Sequence, residues 1–100
     1  MTEALLKAAR NGDIELVRRL VNDKADLKGQ DDDGKNALML AVENDHTACA
    51  RVLIAAKADV NAEDAVGFTA LMFAAYQGNT ECTQILLDAN ADVNASADRG

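Results

Sequence analysis

Apolar residues along this chain come in short bursts with helical spacing, and the bursts are grouped in pairs. In the middle of the chain the first burst is Leu38, Leu40, Ala41 and Val42, the second is Ala48, Cys49, Val52 and Leu53, and Asn44-Asp45 breaks the pattern between them. That arrangement predicts two short helices joined by a tight turn. Asn36 and Thr69 stand where a side-chain oxygen can cap the first helix of a pair, and Thr2 is placed to do the same at the start of the chain. The Asp-rich, Gly-containing stretches 29 to 36 and 62 to 69 predict turn-bearing loops that carry the chain from one pair to the next.

The pairs repeat. Ala58-Asp59-Val60-Asn61-Ala62 returns as Ala91-Asp92-Val93-Asn94-Ala95, 33 residues on, and Ala25-Asp26-Leu27 lies 33 residues before the first of them. Gly34, Gly67 and Gly100 keep this interval, as do Leu5, Leu38 and Leu71 and then Ala8, Ala41 and Ala74. A fixed period of this length is the signature of stacked units, each of which buries its apolar face against its neighbours. The units run 1-30, 31-63 and 64-96, and 97-100 reads as the opening of a fourth.

Composition narrows the reading. About half of the 100 residues are apolar but only three are aromatic, so thin, closely packed helices and an all-α body are expected. Proline is absent, which leaves every turn to Gly, Asn, Asp and Lys. The formal charge of -7 sets a repulsive field against phosphates and anionic lipid, so no nucleic acid and no membrane surface is expected as a partner. No apolar run approaches the roughly 20 residues of a membrane span, and Met1-Thr2-Glu3-Ala4-Leu5-Leu6 lacks the basic start of a secretory signal. The expected setting is intracellular, in the cytoplasm.

With its period and anchors in place, the chain resembles the ankyrin repeat family over essentially its whole length. The third unit carries the resemblance most fully, in Asp64-Ala65-Val66-Gly67-Phe68-Thr69-Ala70-Leu71-Met72-Phe73-Ala74-Ala75, then Gly78, Ile85-Leu86-Leu87 and Ala91-Asp92-Val93-Asn94-Ala95. The resemblance implies a solenoid of helix-turn-helix pairs with projecting β-hairpin loops. This chain departs from the family in having Asn36-Ala37-Leu38-Met39 and Thr69-Ala70-Leu71-Met72 in place of the Thr-Pro-Leu-His motif. Losing the Pro costs little, because Ala is a good helix former under an Asn or Thr cap. The Gly that the family has after the second helix is here Lys24, Lys57 and Asn90, and the Gly between the helices, kept as Gly12 and Gly78, is Asp45 in the middle unit. A Lys held in the left-handed conformation costs about 1 kcal/mol relative to Gly.

The two ends differ. Lys7 and Arg19 replace the apolar residues found at Leu40/Phe73 and Val52/Ile85, giving the first unit the polar outer side of a cap. The third unit is apolar at all its inward-type positions, so an uncovered edge is expected there, either as the cut edge of a longer protein or as a surface for self-association.

Candidate chemistry is sparse. Cys49 and Cys82 occupy equivalent positions on adjacent second helices, whose axes stack about 8 to 10 Å apart. A disulfide needs Cα atoms within about 7 Å, so both are expected as reduced core residues. His46, the single histidine, matches a position where the family has structural hydrogen bonds, and no nucleophile neighbours it. Asp31-Asp32-Asp33-Gly34 lacks the twelve-residue pattern of a calcium loop, and turn formation explains it better. The isolated glycines form no phosphate-binding loop. Asn61 and Asn94 match the family's hairpin Asn, expected to stitch neighbouring turns and, in some animals, a hydroxylation target. No cofactor, metal or catalytic residue is therefore expected, and the chain is read as a non-enzyme.

The resemblance implies a partner surface on the concave side, at the hairpin tips and the last turns of the first helices. In this chain those places hold Arg10, Asn11 and Gln30 in the first unit, and Asp32, Asp33, Lys35, Glu43, Asn44 and Glu63 in the second. The third supplies Ala65, Val66, Phe68, Tyr76, Gln77 and Ser96. Hot spots favour aromatic anchors with polar rims. The expectation is an apolar patch of Val66, Phe68 and Tyr76 flanked by Asp32, Asp33, Glu43 and Glu63, with Phe73 in the core. Such a patch suits a basic protein partner with an apolar anchor. Ordinary variability at these positions, with no hot spot, is the alternative. The function expected is that of an interaction scaffold or adaptor. Two others remain open: an accessory segment of a larger enzyme such as a kinase, and a unit that self-associates through its C-terminal end.

Overall fold

A computed structural model describes residues 2–93 and has six α-helices among them. They are α1 (Thr2–Asn11), α2 (Ile14–Asn22), α3 (Ala37–Glu43), α4 (Thr47–Ala55), α5 (Ala70–Gln77) and α6 (Thr80–Asp88). The first helices of the three pairs stack as α1 on α3 on α5, and the second helices as α2 on α4 on α6, giving two layers. The described body measures 35 × 27 × 20 Å.

Each helix starts and stops for a local reason. Asn36 and Thr69 accept hydrogen bonds from the Met39 and Met72 amides at 2.9 and 3.3 Å, as the cap pattern requires. Asp13 and Asn79 do the same for α2 and α6, accepting from Leu16 and Cys82 at 3.2 and 2.9 Å. Thr2, expected as a cap, is instead the first residue of α1 itself, and its methyl packs against Gly29. At the other end, Lys24, Lys57 and Asn90 adopt φ of 67°, 74° and 69°, so the left-handed conformation survives without Gly.

It survives because a complete Schellman motif is built around each of them. The Ala25, Ala58 and Ala91 amides each donate 3.0 Å back to Leu20, Leu53 and Leu86. Those three alanines are also buried, which explains why the chain repeats Ala-Asp after every second helix. The same motif ends the first helices at Gly12, Asp45 and Gly78. There the next residue, Asp13, His46 or Asn79, closes one helix and opens the next.

No strand occurs among the described residues, so the projecting loops are turns. Asp31 Oδ1 accepts from the Asp33 and Lys35 amides, both at 2.9 Å, and Asp64 Oδ1 accepts from Val66 and Phe68 at 3.0 and 2.9 Å. One backbone bond ties the two loops, Ala65 N–H to Asp33 O at 3.0 Å. Gly34 is needed at this crossing: its φ is 78°, and a Cβ there would stand 2.7 Å from the Ala65 nitrogen. Further along, Asn61 Oδ1 accepts from the Asp92 amide at 2.7 Å, which is the expected stitch between neighbouring units. Asn94 and the opening of a fourth unit lie outside the described residues.

The core is a single stripe. Leu5, Leu38, Leu53, Leu86, Val17 and Val42 are almost fully buried, together with Cys49 and Cys82, both free thiols. Burial pushes both thiols above their ordinary pKa. The outer side of the first unit is polar as expected, with Lys7 and Arg19 exposed. At the opposite edge Leu71 and Met72 are half-buried and Ala75 is exposed, whereas their counterparts Leu38, Met39 and Val42 are buried.

Candidate partner-binding cleft

Two turns and one helix enclose a small cleft between the second and third units. Asp33 and Lys35 come from the second unit's loop, Asp64, Ala65, Val66 and Phe68 from the third's, and Phe73 from α5; together they line a cleft of about 280 Å³. The loops bring these side chains together because Asp31 and Asp64 hold both turns in the same shape and the Ala65–Asp33 bond sets their spacing. Phe68 and Phe73 meet with ring centroids 5.5 Å apart and planes at 36°, a tilted pair of the kind aromatic quadrupoles favour.

Lys35 forms one wall. Its ammonium bonds both Glu43 oxygens at 3.0 and 2.9 Å and stands 5.4 Å from the Phe73 ring centroid. The hydrogen bond to Glu43 raises the Lys35 pKa above its usual value, overcoming the opposing effect of desolvation. The Lys35 side chain is 18% exposed and that of Glu43 is 31%, so this pair is better shielded from solvent than an ordinary surface bridge. Arg51 and Glu81, at 2.6 Å, are more than half exposed and contribute little.

The remaining residues of the sequence-derived surface divide between this cleft and other roles. Arg10 and Asn11 end α1 and line a second, larger groove of about 450 Å³ with Gln30 and Asp32, where Arg10 also reaches Asp31 at 3.5 Å. Val66 is 65% exposed at the cleft's rim, while Phe68 is half-buried in it. Tyr76 is 86% exposed but is not among the residues lining the cleft. Asn44 donates to Leu40 O at 2.8 Å and Gln77 to Glu43 O at 2.7 Å, so both serve helix ends. Glu63 is half-buried in the approach to the third loop, and Ser96 lies outside the described residues.

Two cleft residues were not on the sequence-derived surface. Phe73 is buried as a core position should be, yet one part of its ring also faces the cleft. Asp64 was readable as the repeat equivalent of Asp31, the turn-forming Asp. His46 matches its structural reading, with its Nε2 3.0 Å from Arg10 O and its ring packed on Gly12.

A family model described as ankyrin repeats, in three copies, matches residues 4–97. The chain belongs to the ankyrin repeat family. Members of that family are generally protein-protein interaction modules and are typically non-catalytic. No curated protein matches the chain significantly. Among the described residues no helix is long and apolar enough to cross a membrane.

Proposed function

We propose that this chain is an interaction scaffold whose concave side, centred on the cleft between its second and third loops, holds an extended segment of a basic protein partner. The observation that carries this reading is the aromatic pair Phe68 and Phe73 in one small cleft whose lining also includes the acidic residues Asp33 and Asp64. Hot spots are built in this way, with a desolvated aromatic centre inside a polar rim. The cleft falls just below the range of about 300 to 1,000 Å³ typical of small-molecule pockets, which favours one side chain of a protein over a free cofactor.

The test is a displayed random-peptide selection on the intact chain, followed by titration calorimetry with a selected peptide. Phe68→Leu keeps an apolar residue over Phe73 while removing the ring, and a loss of about tenfold, or 1.4 kcal/mol, is expected. Unchanged affinity in that variant would reject the cleft. Tyr76→Ala separately tests whether the contact extends beyond it.

A second reading rests on a different observation. Among the described residues the exposed large apolar ones, Val66, Tyr76, Leu87 and Val93, all belong to the third unit, at whose far edge Leu71 and Met72 are only half-covered. That edge suits self-association, which light scattering over a wide concentration range detects. A molar mass that stays at one chain throughout would exclude it.

A further inference from the structure

We propose that the cleft between the second and third loops is an arginine-recognition site: it receives one arginine side chain of the partner, its stem beside Val66 and its guanidinium laid on Phe68 with its donors toward Asp33 and Asp64. The inference rests on the interaction-module reading and adds the identity of the anchoring side chain. It follows from what each kind of side chain would meet there.

An aliphatic or phenyl side chain would find the Phe68 ring but would strip water from two carboxylates and offer them nothing, an uncompensated cost. An acidic side chain would meet Asp33 and Asp64 directly. A lysine could pair with one carboxylate as a point charge, but it has no plane to lay on an aromatic face. Arginine satisfies both halves of the cleft. Its guanidinium is planar, stacks on aromatic rings and presents several donors in a fixed fork to carboxylate oxygens.

The cation already present does not spoil the site. The Lys35 ammonium is held by both oxygens of Glu43 and also feels the charge of Asp33, so the three carboxylates of Asp33, Glu43 and Asp64 outweigh this one cation around the cleft. Lys35 also shows, 5.4 Å from the Phe73 centroid, that this aromatic pair accepts a cation beside it. Asp64 can serve a ligand without giving up its turn, because one oxygen, Oδ1, takes both the Val66 and Phe68 amides. Asp33 is exposed, and only its backbone takes part in the bonds that build the loops.

The experiment titrates the intact, isotope-labelled chain with N-acetyl-argininamide, and in parallel with the citrulline, lysine and leucine derivatives, following backbone amide shifts. Saturable shifts at Lys35, Val66 and Phe68 are expected with the arginine derivative, with at least tenfold weaker binding of the uncharged citrulline isostere. Asp33→Asn should weaken the arginine derivative several-fold and leave the leucine derivative unchanged, in a chain whose helical circular dichroism is intact. Equal binding of arginine and citrulline, preference for leucine, or no saturable shift at these amides with any probe would each overturn the proposal. If peptides selected on the chain compete for the cleft but carry no arginine, the arginine assignment fails and the interaction-module reading stands. If no peptide binds the cleft while argininamide does, the broader reading is the one that fails.

Discussion

Replacing Lys24 and Lys57 by Gly should stabilise the protein, although no contact is added. Both residues close a second helix at φ of 67° and 74°, where a side chain bearing Cβ crowds the carbonyl that follows it. That crowding costs roughly 1 to 2 kcal/mol, of which the extra freedom of Gly in the unfolded chain takes back about 0.5 to 1. A net gain of about 1 kcal/mol per site remains. The two sites lie in different units and end different helices, so their effects should add to about 2 kcal/mol. For a domain of this size that corresponds to a rise of about 8 to 16 °C in Tm.

Urea unfolding followed by circular dichroism measures it, with the m-value serving as a check that only stability has changed. Two controls separate backbone strain from charge. Lys57→Ala removes the ammonium but keeps Cβ, and should gain nothing. Asn90→Gly, at φ 69°, should gain only a few tenths of a kcal/mol, since Asn tolerates this conformation. A double Gly variant no more stable than the parent, or an Ala variant as stable as the Gly one, would refute the strain argument.

Three further outcomes follow from the same structure. Leu53→Ala empties a fully buried position between layers and should cost about 2 to 5 kcal/mol in urea unfolding. Gly12→Ala meets two obstacles, a φ of 75° and a Cβ that would stand 2.4 Å from the His46 ring, so it should cost more than 1 kcal/mol. Adding His46→Ala should recover only the steric part of that loss. Stability should also fall on the alkaline side. Cys49 and Cys82 hold their protons above the ordinary value of 9.0 in the folded chain, so their contribution is complete below pH 9 and is lost as pH rises through the folded values. Lys35, whose pKa is raised from 10.5 by Glu43, loses its contribution in the same direction but later. A Cys49→Ala/Cys82→Ala variant should flatten the first part of that decline in a pH series of urea midpoints.

The helices, their order and their stacking were legible because the 33-residue period repeats anchors that each answer to a local rule: a cap at Asn36 or Thr69, a left-handed residue at Lys24, Lys57 or Asn90, a buried Ala after it. Contacts between individual side chains were less so. Lys35 and Glu43, both in the second unit, each read as free binding residues, but the fold turns them toward one another from the two ends of α3. Phe73 read as core alone, because helical spacing reports which face of a helix is buried and not whether a neighbouring loop leaves part of a ring open. Likewise Asp13 and Asn79 went unread as caps, since the residue between two helices carries signals for ending one and beginning the other.

The most direct test of the binding account is an amide shift map of the labelled intact chain with a selected peptide bound. The account predicts perturbation concentrated at residues 33–35, at 64–68 and around Phe73 in α5. Shifts confined to the outer helices α2, α4 and α6, or to the Leu71 and Met72 edge, would contradict it.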